Sequence, residues 1–289
     1  MPGKRILRWF WLLPVALLGG CSLAHFPLLN PQGPIGQHEF DLILTAFLIM
    51  LIPVVPVIVM TLWFAWRYRA TRTETTTPRG GSERAVEIVV WTVPTAIVIA
   101  LGTLTWVTTH QLDPYKPIAS SAKPVQIEAI ALNWKWLFIY PDAHIATVNQ
   151  LEIPTGVPVS FRLTSGTVMA SFFIPRLGSQ VYAMAGMQTR LHLLADQPGS
   201  DTGLNSQFSG AGFPEMHFKV TATSETGYQA WLQQVRQTGS TLDMRGFEQL
   251  AQPSAHNPVL HFASVQPGLF NAVIQRYHPA PGASHKMEM

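Results

Sequence analysis

Leu42 to Trp66 run for 25 residues without a charged side chain, and this stretch limits what the chain can fold into more than any other. At a helical rise of 1.5 Å per residue the run is about 37 Å long, enough to cross the ~30 Å hydrocarbon layer of a bilayer with some tilt. A transmembrane helix is predicted there. It kinks where Pro53 and Pro56 free backbone carbonyls that neighbouring helices must satisfy, and Trp63, Trp66 and Tyr68 close it as an interfacial belt. A second apolar run, Ile88 to Thr109, carries Pro94 and returns across the membrane. Between the two, Arg67, Arg69, Arg72, Arg79 and Arg84 outnumber Glu74 and Glu83, and the positive-inside rule assigns such a loop to the cytoplasm. Residues 40–111 therefore read as a transmembrane hairpin with a cytoplasmic loop at 67–86, and the chain beyond about His110 reaches the outer side.

The N-terminus fits that topology. Lys4, Arg5 and Arg8 precede the apolar run Trp9 to Leu18, which is too short to span a bilayer with ease. Residues 1–20 read as an export signal peptide. It ends in Leu18-Gly19-Gly20-Cys21, which resembles a bacterial lipobox, so Cys21 is the expected lipidation site and 21–39 a lipidated N-terminal segment. An uncleaved signal anchor with a free cysteine is the alternative.

Only 12% of residues are charged, about half the share of an ordinary soluble protein. Eight of the 19 Lys and Arg lie before residue 85, while Leu112 to the end holds 11 basic and 11 acidic residues. The excess positive charge belongs to the leader and the loop, which argues against nucleic-acid binding. A single cysteine forbids an internal disulfide, so the outer part must be stabilised by its own core.

From Pro124 the pattern changes to short alternating segments separated by Gly, Pro, Asn and Asp. Val125–Ala131, Val157–Leu163, Met187–Leu194 and Met216–Ala222 read as strands of a sandwich or barrel. In the third, Thr189, Leu191 and Leu193 point inward while Arg190 and His192 face solvent. After Ser224, a helix N-cap with Glu225 in the first turn, Tyr228, Trp231, Leu232 and Val235 recur at helical spacing until Gly239. A second short helix is expected over Met244–Ala251. The segment from His278 has a disordered composition.

Four runs carry a family resemblance: Val86 to Pro94, Ala131-Leu-Asn-Trp-Lys-Trp-Leu-Phe-Ile-Tyr-Pro141, Ser171 to Gly178, and Tyr182 to His192. They are similar to subunit II of the haem-copper terminal oxidases, in particular the ubiquinol oxidase branch of cytochrome bo and ba type. Copper-bearing members carry Cys-x3-Cys-Gly-x2-His-x2-Met on a loop of a cupredoxin barrel. Aligned on Met216, that frame puts Asn205 and Ser209 at the thiolate positions, Gly210 at the glycine and Phe213 at the histidine. Ala170 stands where a second histidine would precede the Pro175-Arg176-Leu177-Gly178 run. A dinuclear copper centre needs bridging thiolates and imidazole, so these five positions, Ala170, Asn205, Ser209, Phe213 and Met216, read as vacated copper-ligand positions, and no metal is expected here.

The resemblance implies a two-helix hairpin, a cupredoxin-like Greek-key domain at 112–223, a small helical appendage at 224–277 and a tail at 278–289. It implies a non-catalytic subunit of a proton-translocating ubiquinol oxidase in the inner membrane. The partners are then subunit I and smaller membrane subunits, with haem, copper and ubiquinol at subunit I and no cytochrome c. The family's matching acid makes Glu87 a candidate for a proton-channel entrance, although interfacial carboxylates are often simply solvated. Trp134 and Trp136 resemble the aromatic pair through which electrons enter copper-bearing relatives; without metal beneath them, core or contact packing explains them better. Met184, Met187, Met216 and His217 leave open a second reading, a membrane-tethered Cu(I)-binding or oxidase-assembly module.

Overall fold

A computed structural model describes residues 27–69 and 83–277. The expected signal peptide, Cys21, the 278–289 tail and the middle of the 67–86 loop lie outside the described residues. The chain divides into two compact units, 38–113 and the remainder.

The smaller unit is built on α1 (Pro34–Arg67) and α2 (Glu83–Gln111). Each starts several residues before its apolar run. Pro34 suits the first helical position, where its missing N–H costs no hydrogen bond. Neither Pro53, Pro56 nor Pro94 ends its helix. The apolar windows of both helices are bare of protein cover, as a lipid-facing surface is. Thr61, Thr95, Thr103 and Thr108 return their hydroxyls to the carbonyl four residues back, which keeps those polar groups satisfied in an apolar setting.

Among the described residues the larger unit holds twelve strands: β1 (Val125–Leu132), β2 (Lys135–Tyr140), β3 (Ile145–Val148), β4 (Gln150–Pro154), β5 (Val159–Ser165), β6 (Ala170–Ile174), β7 (Gly178–Ala183), β8 (Thr189–Leu193), β9 (Gly199–Asn205), β10 (His217–Thr223), β11 (Ser240–Leu242) and β12 (Leu260–Val265). They form a seven-stranded sheet in the order β11-β12-β3-β2-β1-β5-β8 and a five-stranded sheet in the order β4-β10-β9-β6-β7. Most neighbours run antiparallel; β1–β5, β4–β10 and β11–β12 are parallel. Trp136, Phe138, Phe161, Phe172 and Phe218 lock rings between the sheets, with Phe172 stacked on Phe218 at 5.3 Å.

Three helices follow the sandwich strands: α3 (Glu225–Thr238), α4 (Met244–Leu250) and α5 (Leu269–Gln275). α3 keeps its expected caps, Ser224 Oγ accepting from the Gly227 N–H and the Gly239 N–H donating to Val235 O, and buries Tyr228, Trp231, Leu232 and Val235. The C-terminal segment also supplies β11 and β12, which alternation alone did not disclose. β12 pairs with β3, and Leu242, Phe247, Leu269, Phe270 and Val273 cover the outer face of the seven-stranded sheet. A second core results, lined from the sheet side by Ile130, Leu132, Leu137, Ile139 and Val148. That is why every residue of β2 is buried: its even positions face the sandwich and its odd positions face the second core.

Residues 30–37, which run into the first turn of α1, belong to this unit and dock on its strands. Gln32 N–H donates to Arg176 O and Gly36 N–H to Leu177 O, while Asp196 N–H donates to Gln32 O. Gly178, at φ +111°, lies so close to Ile35 and Gly36 that a side chain there would overlap them. The Pro175 to Gly178 run is thus the seat of the N-terminal strap. One expectation is corrected: His192 does not face solvent. Its residue is 8% exposed, its Nε2 lies 3.3 Å from Ser160 Oγ and its Nδ1 3.1 Å from Pro114 O, because the connection leading out of α2 is laid across that face.

Candidate functional site

The structure brings Asn205, Ser209 and Met216 together at one end of the five-stranded sheet. Asn205 closes β9, Met216 opens the approach to β10, and Asn205 N–H donates to Met216 O at 3.1 Å. The Asn205 side chain, almost fully buried, is the hub. Its Oδ1 accepts from Ser171 N–H at 2.7 Å and Gln207 N–H at 3.0 Å. Two backbone donors on the oxygen fix the amide's orientation. Nδ2 must then turn to the other side, where it donates to Ser209 Oγ at 3.2 Å and Met216 Sδ at 3.2 Å. The Ser209 hydroxyl approaches the same sulfur at 3.8 Å.

This chemistry does not fit copper. The Met216 thioether is met by N–H and O–H hydrogens, whose positive ends oppose a cation, and no thiolate or imidazole stands beside it. Ala170 begins β6 beside Ser171 and is buried without a donor atom in its side chain. Phe213 opens the 3-10 turn Phe213–Glu215 and packs its ring against Phe208 at 5.6 Å. Among the described residues no three His, Cys, Asp or Glu side chains cluster.

Trp134 and Trp136 are separated in role. Trp136 is buried in the aromatic core between the sheets. Trp134 occupies the β1–β2 turn at φ +61° and lies over the loop, its Nε1–H donating to Ser209 O at 3.0 Å. Gly212 is pressed against that indole so closely that a Cβ would come 2.2 Å from a ring carbon. Glu87 lies on an exposed face of α2, near its start. His217 is exposed, as alternation with buried Phe218 predicts.

Two polar clusters were not foreseen. Lys135, 2% exposed, donates from Nζ to Leu250 O at 2.8 Å, Gln252 O at 2.9 Å and Ser254 Oγ at 2.5 Å. It caps the C-terminal end of α4, where the helix leaves carbonyls unpaired; burial draws its ammonium below the ordinary lysine range. Arg162 pairs with Glu128 at 2.7 Å, donates to Gln188 and Asn271, and lies 4.8 Å over the Phe270 ring. Burial raises the Glu128 carboxyl despite the opposing pull of Arg162. Both clusters tie the C-terminal segment to the seven-stranded sheet. The signal was the unbroken apolar run from Trp136 to Tyr140, which demands cover on both faces.

Comparison with known proteins agrees with this arrangement. The family model of the COX Aromatic Rich Motif matches residues 236–279, the segment that builds the second core. The cytochrome bo(3) ubiquinol oxidase subunit 2 of Pseudomonas aeruginosa is 48% identical over 283 residues, covering 96% of this chain and 85% of the relative. The ubiquinol oxidase subunit 2 of Acetobacter aceti is 46% identical over 277 residues, covering 95% and 89%. Among solved structures, the periplasmic domain of subunit II of cytochrome oxidase from Bradyrhizobium japonicum is 18% identical, covering 40% of this chain and 96% of that one, with a TM-score of 0.38. Two helices long and apolar enough to cross a membrane, a sandwich of two β-sheets and a C-terminal segment that matches the COX Aromatic Rich Motif define the class, the second subunit of a terminal oxidase. Within it, the chain belongs to the ubiquinol oxidase subunit 2 family and is a membrane protein, part of an oxidoreductase complex.

Proposed function

We propose that this chain is the non-catalytic subunit II of a proton-translocating oxidase that oxidises ubiquinol and reduces oxygen, with haem and copper confined to subunit I. The observation that carries this reading is the Asn205 hub: amide and hydroxyl hydrogens point at the one surviving soft atom, Met216 Sδ, so the loop is closed by hydrogen bonds rather than by metal. A quinol dissolved in the membrane needs no electron port on an outer domain, and a soluble cytochrome c has no acceptor here. The two helices would pack against subunit I and smaller membrane subunits, with the sandwich on the periplasmic side and Cys21 as lipid anchor. The positions Ala170, Asn205, Ser209, Phe213 and Met216 are then vacated ligand positions, and Glu87 is a candidate proton-entry acid at the cytoplasmic mouth of α2.

Purification in mild detergent tests the proposal. A multi-subunit, haem-containing complex with quinol-dependent oxygen uptake is expected; recovery of a solitary, haem-free chain would refute it. The alternative, a tethered Cu(I) module, would draw on Met184, which follows β7, and on His217, which opens β10 and is exposed. Sub-micromolar Cu(I) binding lost on Met216→Leu would favour that alternative.

A further inference from the structure

The hydroxyl of Tyr228 belongs to a buried side chain and is unused. Tyr228 lies on α3, is 5% exposed and lines a cavity of about 290 Å³ between that helix and the start of β1. Tyr140, on the same cavity, spends its hydroxyl fully, donating to Glu152 O at 3.0 Å and accepting from Glu152 N–H at 2.9 Å. Among the described residues the Tyr228 hydroxyl has no hydrogen-bond partner. Burial, with the Glu225 and Asp142 carboxylates adding to it, holds the Tyr228 phenol well above the ordinary tyrosine range, so the group stays an O–H donor. A buried donor costs free energy until an acceptor meets it. Tyr228, Leu232 and Arg236 stand four residues apart and form one stripe of α3 about 12 Å long. Arg236 gives one N–H to Ala143 O at 3.2 Å and pairs with no carboxylate among the described residues. Its charge reaches the Tyr228 phenol. Lys123 and Asp142, which also line the cavity, pair with each other at 3.3 Å. The lining therefore holds two cations and one carboxylate, a net charge of +1.

We propose that this cavity binds a small organic monocarboxylate, whose carboxylate accepts from the Tyr228 O–H and the free N–H groups of Arg236 while its carbon body lies on Pro124, Val125 and Leu232. Both donors are unspent, and hydrogen bonds to a carboxylate are stronger than those to a neutral acceptor. A single negative charge balances the lining. A phosphate dianion exceeds that balance and is repelled by Asp142, and a neutral ligand leaves Arg236 without a counter-charge. The cavity lies at the small end of the range for ligand pockets, which suits a molecule the size of benzoate.

The test is saturation-transfer NMR on the full-length chain in mild detergent, within its complex or alone, titrated separately with benzoate and with its neutral analogue benzamide. Benzoate should bind with a Kd of about 1 mM or tighter, at least tenfold more tightly than benzamide, and an equal concentration of inorganic phosphate should not displace it. Tyr228→Phe removes the hydroxyl alone and should weaken benzoate binding at least threefold; Arg236→Gln should weaken it at least tenfold. Arg245→Gln, an exposed cation of α4 outside the cavity, should leave it unchanged. Should Arg236→Gln fail to fold, Tyr228→Phe decides alone. Equal affinity for benzoate and benzamide, displacement by phosphate, unchanged binding in Tyr228→Phe, or an equal loss in Arg245→Gln overturns the inference.

Discussion

Replacing Asn205 with alanine removes the hub that closes the loop, and its cost can be worked from the contacts. Two backbone donors lose their acceptor. Ser171 N–H is fully buried, so its desolvation is uncompensated at about 2 kcal/mol. Gln207 N–H is half-buried and can recruit water, so about 1 kcal/mol is reasonable. The two bonds from Nδ2 to Ser209 Oγ and Met216 Sδ are neutral and weaker, and Ser209 can rotate to replace one. The sum, about 3 kcal/mol, falls on local opening of residues 205–217 rather than on the whole sandwich. At 1.4 kcal/mol per factor of ten, hydrogen exchange across this loop should accelerate roughly 100-fold. Asn205→Asp retains both acceptor contacts through one oxygen and should accelerate it much less. Hydrogen exchange with mass-spectrometric readout on the full-length chain in detergent makes the comparison. Less than a threefold change for Asn205→Ala, or equal effects of alanine and aspartate, would refute the reasoning that a side-chain amide closes the loop in place of metal.

Lys135→Met should release the 250–254 segment, because Leu250 O and Gln252 O lose a buried donor; about 2–4 kcal/mol is expected, read as rapid proteolysis after α4, and unchanged protection would contradict the cap. Burial raises the Glu152 carboxyl, against the pull of hydrogen bonds from Thr221 and Gln150 and of Lys219. An acid whose folded pKa is raised favours folding below its ordinary range and loses that contribution as pH climbs through the raised value. As pH rises above the ordinary carboxylate range towards 7, the thermal midpoint of the native chain should therefore fall relative to Glu152→Gln; parallel curves would contradict this. Glu87→Ala should slow turnover and proton uptake while the complex still assembles, and unchanged turnover in the assembled complex would remove Glu87 from the proton path.

Much of the architecture was legible in the residues because its causes are local. The membrane helices follow from uninterrupted apolar length, and α3 from its spacing and from Ser224 and Gly239 at its ends. The loop was legible as a frame: Asn205, Ser209 and Met216, spaced like ligands, do converge. What spacing could not give is what the amide does, since its orientation is set by Ser171, thirty-four residues away on another strand. The second core was hidden for a related reason. β12 and α5 have little periodicity of their own and are defined by the sheet face they cover, so no local pattern marked Lys135 as the residue that bonds the end of α4. His192 failed in the same way: alternation placed it correctly on the outer face, but the connection from α2 covers that face.

Metal analysis of the purified complex tests the central claim most directly. After subunit II is dissociated and separated, its sandwich should carry less than a tenth of an equivalent of copper and show no near-infrared band of a mixed-valence copper pair, with all copper remaining in the haem-bearing subunit. One or two equivalents of copper retained by this chain, with such a band, would contradict the account.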